Sequence, residues 1–248
     1  MYILVVVLIA LAGASFEYRK KIVGGENTTI EEYPYQLSLL KYGKHFCGAL
    51  LIRSDVVLTT AHCVENAQSS DFSTRAGSTY RTKGGIVHRV KSLHPHPNYK
   101  TDSSDYDVAV LLLEKSYTLS ASIQTIPIIS KGVEVPTNAM GAATGWGQLY
   151  FEGPFPEVLQ VVWVPKISQA NCVKFYPEEN VTQRMECYGY KEGNKDVCYG
   201  DSGGPIAVNG KISAISSWGY GCAFPERPNV YTKLSDADIH DFVSRFLK

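Results

Sequence analysis

The sequence predicts an all-β protein with one amphipathic helix at its C-terminus. Short apolar or alternating runs recur along the chain with Gly, Pro, Asn and Ser between them, the pattern of a sandwich or barrel. Helical spacing appears only at the end, where Ile239, Phe242, Val243, Phe246 and Leu247 share one face. With 248 residues, 44% of them hydrophobic, the chain buries a sizeable core without metals, as one large β domain or two modest ones.

Taken in order, the predicted strands cover residues 36–40, 48–53, 56–60, 85–90, 108–113, 160–165, 205–208, 211–216 and 229–233. The terminal helix is expected behind a capping box formed by Ser235 and Asp238. No earlier segment has convincing helical periodicity, and the chain carries no internal repeat or low-complexity segment.

Residues 1–14 read as a secretory signal, with an apolar run at 3–11 followed by the small residues Ala12-Gly13-Ala14. That run is too short for a membrane anchor, which takes about 20 apolar residues. Lys+Arg and Asp+Glu both number 24, so no net charge pulls the chain toward nucleic acid or an anionic membrane, and neither is an expected partner. Six cysteines in a chain entering an oxidising compartment read as three disulfides, with about 15 connectivities open.

No cofactor or metal is expected. His94-Pro95-His96-Pro97 reads as a surface loop, since prolines stiffen a loop without setting ligand geometry. Between residues 65 and 85 only Glu65 and Asp71 carry carboxylates, too few for calcium, which takes six to eight oxygen ligands. Asn27-Thr28-Thr29 and Asn180-Val181-Thr182 make Asn27 and Asn180 candidate glycosylation sites.

Reaction chemistry concentrates in three segments. Gly200-Asp201-Ser202-Gly203-Gly204-Pro205 sets a hydroxyl in a glycine-rich turn, Thr59-Thr60-Ala61-His62-Cys63 supplies an imidazole, and Asp107 heads the apolar run 108–113. A serine hydroxyl is a weak nucleophile unless an adjacent base activates it, and here a base and an acid to orient it are both present. Asp102 and Asp105 lie close by, but Asp107 directly precedes the strand. In the order His, Asp, Ser, these motifs resemble the chymotrypsin/trypsin family of serine endopeptidases over residues 22–248, most closely arthropod (insect/mite) digestive trypsins.

The resemblance implies two six-stranded antiparallel β-barrels with the site between them, His62 and Asp107 from the first and Ser202 from the second. It implies a secreted, monomeric endopeptidase acting on polypeptides through an acyl-enzyme, and blocked by protein protease inhibitors. His62 would be the base, Asp107 its orienting partner and Ser202 the nucleophile, with the N–H groups of Gly200 and Ser202 forming the oxyanion hole. The family pattern pairs Cys47 with Cys63, Cys172 with Cys187 and Cys198 with Cys222. Residues 15–21, ending in Lys20-Lys21 before Ile22-Val23-Gly24-Gly25, resemble an activation peptide. Cutting after Lys21 would free an Ile22 ammonium to pair with Asp201, leaving the uncut precursor nearly inert.

Substrate selection is implied by Asp196, six residues before the nucleophile, where a carboxylate at the pocket floor favours Arg or Lys. Ser217-Trp218-Gly219 resembles the segment that binds substrate backbone as an added strand. Three residues depart from the trypsin pattern: Tyr188, Val197 and Asn229. Val197 lacks a hydroxyl that helps bind Lys, and Asn229 replaces a glycine, so it either blocks the slot or hydrogen-bonds to Asp196. These departures support an alternative: a homologue with an occluded pocket, acting as a binding or decoy protein.

Overall fold

A computed structural model describes residues 22–248. The signal at 1–14, the activation segment at 15–21 and Lys21 lie outside the described residues. In chain order the elements are β1 (Glu26–Asn27), β2 (Gln36–Lys41), β3 (Lys44–Arg53), β4 (Val56–Thr59), β5 (Phe72–Ala76), β6 (Ile86–Pro95) and β7 (Ala109–Leu113). Then follow β8 (Met140–Gly145), β9 (Gln160–Pro165), α1 (Gln169–Phe175), β10 (Met185–Tyr188), β11 (Pro205–Val208), β12 (Lys211–Trp218), β13 (Asn229–Lys233) and α2 (Ala237–Ser244).

Strands β2 to β7 close into a barrel in the order β2-β3-β4-β7-β6-β5. Alternation sends successive side chains to opposite faces, and in β3, β4 and β7 both faces are apolar. Cys47, Ala49, Leu51, Val57, Ala109, Leu111 and Leu113 fill the barrel interior. Leu50, Ile52, Val56, Leu58, Val108 and Val110 instead join a second core with Ile212 and Ile215 of β12 and with Ile239, Phe242 and Val243 of α2. That shared core fixes the barrel against the rest of the molecule.

The second sheet departs from the expected closed six-stranded barrel. Seven strands run in the order β1-β9-β8-β11-β12-β13-β10. The chain just past β9 meets β10 at one bridge, Lys166 to Tyr188, supported by Ile167 N–H to Cys187 O at 2.8 Å and Gly189 N–H to Pro165 O at 3.0 Å. No ladder closes the ring, because the chain leaves β9 at Pro165 and enters α1 four residues later.

Two helical expectations need correction. α1 forms despite lacking an amphipathic stripe: Ser168 caps it by accepting from Asn171 N–H at 3.3 Å, and among its residues only Cys172 is buried. α2 starts from Asp236, whose carboxylate accepts from the N–H groups of Asp238 and Ile239, and not from a Ser235/Asp238 box. The acceptor must sit at the residue whose backbone turns non-helical. Nor do His94 and His96 lie on a surface loop. His94 is in β6, bonded to Ser92 Oγ at 2.9 Å, and His96 is buried, stacked on Tyr106 at 4.6 Å.

Candidate active site

β4 ends at Thr59, and the following turn presents His62 beside Asp107, which precedes β7. Asp107 is fully buried and its carboxylate accepts three hydrogen bonds: His62 N–H at 2.9 Å, His62 Nδ1 at 2.8 Å and Ser217 Oγ at 2.5 Å. With Nδ1 donating, neutral His62 carries its free lone pair on Nε2. Burial alone would lower the imidazole pKa, but the hydrogen bond and charge of Asp107, helped by Glu65, raise it above its ordinary value. Asp105 turns away to Arg184 and Asp102 is exposed, so the acid that meets the imidazole is Asp107.

Ser202 lines the same cavity as His62, although no hydrogen bond joins its hydroxyl to Nε2. Catalytic contacts of this kind are often loose before substrate binds. Gly200 takes φ +97, a conformation that favours glycine, and the N–H groups of Gly200 and Ser202 find no acceptor among the described residues. The Gly200 carbonyl accepts from His45 Nε2 at 3.1 Å, while His45 Nδ1 meets Ser38 Oγ at 2.7 Å. Burial pushes the His45 pKa down to about 4 against the pull of that carbonyl, so neutral His45 braces the loop. Sequence reasoning missed it; its only signal is its place two residues before Cys47.

Beneath this loop lie two buried carboxylates. Asp201 is 1% exposed and accepts from Gly147 N–H at 2.7 Å and Cys198 N–H at 3.0 Å. Burial raises its pKa to about 6 against those two donors. Gly147 is obligatory, since a Cβ there would lie 2.3 Å from Asp201 Oδ2. Asp196 is 3% exposed and accepts from the N–H groups of Val197 at 2.8 Å and Ala223 at 3.4 Å. Burial drives its pKa far up, backbone N–H groups oppose this, and Asp201 adds to it. Neither carboxylate has a cationic partner among the described residues.

A cavity of about 270 Å³ is lined by His62 and Ser202 together with Val197, Ser217, Trp218, Gly219 and Asn229 among others. Asp196 is buried and is not among the residues that line it. Asn229 binds Ser216 Oγ at 3.0 Å through Nδ2, and its Oδ1 would be 3.0 Å from a Cβ on Gly219. It therefore spans between the walls and makes no side-chain bond to Asp196, correcting one of the two expectations for it. Tyr188 is also corrected: it is buried in β10 with its hydroxyl on Glu186 and Ser213, away from the cavity. Ser217 lines the cavity as expected but spends its hydroxyl on Asp107, a role its sequence position did not reveal.

The three bridges are Cys47–Cys63, Cys172–Cys187 and Cys198–Cys222. The first sits beside His62, and the last ties the Ser202 loop to the segment after Trp218. Asn27 and Asn180 are exposed, and Gln160 Nε2 donates to Asn27 Oδ1 at 2.9 Å. Glu65 accepts from Thr101 Oγ1, and Asp71 from Gln68 N–H at 3.0 Å.

The family model described as Trypsin matches residues 22–242. The chain belongs to the trypsin family. It is 43% identical over 216 residues to the vitellin-degrading protease of Bombyx mori, covering 87% of this chain and 82% of that protein. It is 39% identical to Trypsin 5G1 of Aedes aegypti over 225 residues, 90% and 84% of the two chains. It is 37% identical to a trypsin of Xenopus laevis over 238 residues, 94% of each. This trypsin-family chain is a trypsin-like serine endopeptidase, resembling arthropod trypsins, whose substrates are polypeptides. Among the described residues no helix is long and apolar enough to cross a membrane.

Proposed function

We propose that the protein is a secreted endopeptidase, made as an inactive precursor, that cleaves polypeptides after basic residues through a covalent acyl-enzyme. The Ser202 hydroxyl attacks the scissile carbonyl carbon while its proton passes to His62 Nε2. The oxyanion accepts from the free N–H groups of Gly200 and Ser202. Collapse expels the amine, which takes the proton from the imidazolium and leaves an ester on Ser202. Water then attacks that ester with His62 again as base, releasing the acid and restoring the hydroxyl. Asp107 holds the imidazole tautomer and stabilises the transient cation. The observation that carries this reading is the Asp107–His62 Nδ1 contact at 2.8 Å, which leaves Nε2 as the base in the cavity that holds Ser202.

The missing cations around Asp196 and Asp201 support the remaining parts. A buried carboxylate without a counter-ion is costly, and each would gain one that the uncut, substrate-free chain lacks. For Asp201 it is the Ile22 ammonium, freed by the cut after Lys21. Val23 O already accepts from Asp196 N–H at 3.1 Å, so the new terminus lies beside this loop. For Asp196 it is an Arg or Lys of the substrate. Cleaved protein treated with a fluorophosphonate should be labelled at Ser202, untreated cleaved protein should cleave Arg and Lys substrates, and Ser202→Ala should lose both properties. Labelling without any advantage of Arg or Lys over Tyr and Leu would overturn the assigned specificity.

One observation favours the second reading, an obstructed pocket: Asn229 lines the cavity and Asp196 does not. Replacing Asn229 by Gly should raise kcat/KM for Arg and Lys substrates at least tenfold if the amide hinders entry, the scale of one or two lost contacts in a pocket. An unchanged value would clear Asn229 of that role.

A further inference from the structure

The acid of the active site is delivered by a backbone that does not hold its own shape. Ser104 and Tyr106, flanking Asp105, have φ +49 and +57, left-handed values that residues with a Cβ seldom adopt. Something must pin this turn, because Asp107 follows at once and has to meet His62 at hydrogen-bond distance.

The pin comes from the other half of the molecule. Arg184, at the foot of β10, grips Asp105 with both arms: Nε to Oδ1 at 2.8 Å and Nη2 to Oδ2 at 2.6 Å. Thr182 Oγ1 adds a third donor to Oδ1 at 3.0 Å. The guanidinium also lies 4.4 Å from the centre of the Tyr106 ring, whose other neighbours are His96, stacked at 4.6 Å, and Asp238 of α2, 3.2 Å from the hydroxyl. Arg184 itself is tied to β13, its carbonyl accepting from Lys233 N–H at 2.9 Å, and the neighbouring Thr232 Oγ1 donates to the Asp107 carbonyl at 2.7 Å. A planar, two-armed contact fixes direction as well as distance.

We propose that the Asp105–Arg184 pair, with Thr182, is a positioning clamp by which the second sheet sets Asp107 against His62. Neither residue touches substrate; both act through Asp107. The inference rests on the catalytic reading above, and it deepens that reading by assigning residues outside the triad to its alignment. Because the clamp joins elements of the barrel and of the second sheet, the distance from Asp107 to His62 depends on how the two halves dock.

The test compares processed wild-type protein with Arg184→Gln, Asp105→Asn and the milder Thr182→Val. Each is read by steady-state kinetics, by the pH dependence of kcat/KM and by the proton NMR resonance of the His62 Nδ1–H. For Arg184→Gln and Asp105→Asn the expected result is a fall in kcat of roughly tenfold to a hundredfold, the scale of a small misplacement, with KM within twofold. The acid limb should move to lower pH, because His62 loses part of the Asp107 contact that raises its pKa, and the Nδ1–H signal should shift upfield or broaden. Thr182→Val, which removes one of the donors, should do the same to a smaller degree and serves if the other two variants do not fold. Arg184→Lys should recover less than half of the lost kcat, since an ammonium keeps the charge but not the fork. An acid limb and an Nδ1–H resonance identical to wild type in every folded variant, whatever the melting temperature does, would overturn the clamp. The resonance does not require turnover, so a wild-type protein that cleaves nothing would defeat the catalytic reading and still leave the clamp decided.

Discussion

Asp107, which orients the His62 imidazole, already has its hydrogen-bond partners, whereas the loop carrying Ser202 sits on two carboxylates held only by peptide N–H groups. Asp107 receives three hydrogen bonds, one from a side chain of the second sheet. Asp196 and Asp201 are as deeply buried, yet no cation faces them among the described residues. If the proposed function holds, folding alone completes the proton-handling half, while the nucleophile half is conditional. On the proposed reading it waits for two positive charges, the ammonium made by processing and the side chain brought by substrate.

The largest effect should come from the conditional half. Asp201→Asn in the cleaved protein should lower kcat/KM by roughly 10²–10³-fold, the loss expected when one partner of a buried pair is removed. The uncleavable precursor Lys21→Gln should show the same deficit, measured on the same substrates. Near-normal activity in either would erase the distinction between the halves. A smaller effect is expected on the completed half: Ser217→Ala removes one donor to the Asp107 carboxylate and should cost about tenfold in kcat. A loss matching that of Asp201→Asn would mean that the proton-handling half is no better secured than its neighbour.

A change in slope rather than in rate carries the same contrast into pH. The folded pKa of Asp201 is raised to about 6 from 3.8, so between those values the folded state holds a proton that the unfolded state has released. Stability therefore falls as pH rises across that window, by up to about 3 kcal/mol for a shift of this size. Urea unfolding at pH 4, 5 and 6 should show this slope in the Lys21→Gln precursor and a shallower one in the cleaved protein, where the ammonium favours the charged carboxylate. Equal slopes would remove the ammonium from the account.

What could be seen in advance followed from where chemistry is local. Strands with two buried faces, such as β4 and β7, leave unbroken apolar runs, and β9, β11 and β13 begin and end where turn residues bound them. β5 is hidden because its buried face, Phe72, Thr74 and Ala76, carries only one large apolar side chain, and β8 because four of its six residues are glycine or alanine. Its small residues answer a crowding set by other segments: a Cβ on Gly141 would lie 2.7 Å from Ile206. β10 carries Glu186, buried against Lys166, 2.5 Å away and 20 residues earlier, and bonded by the Tyr188 hydroxyl. The positions proposed for catalysis, His62, Asp107 and Ser202, each sit in a local motif, whereas Ser217 on Asp107 spans 110 residues and His45 on Gly200 spans 155. No local pattern encodes contacts at that separation.

The core shared by the barrel, β12 and α2 bears on how the chain comes apart. Val110 and Leu111 are adjacent in β7, yet one belongs to that shared core and the other to the barrel interior. Neither half can expose its own apolar surface without stripping the other, so heat should melt them in one transition. Removing the last dozen residues should unfold the barrel although none of them belongs to it.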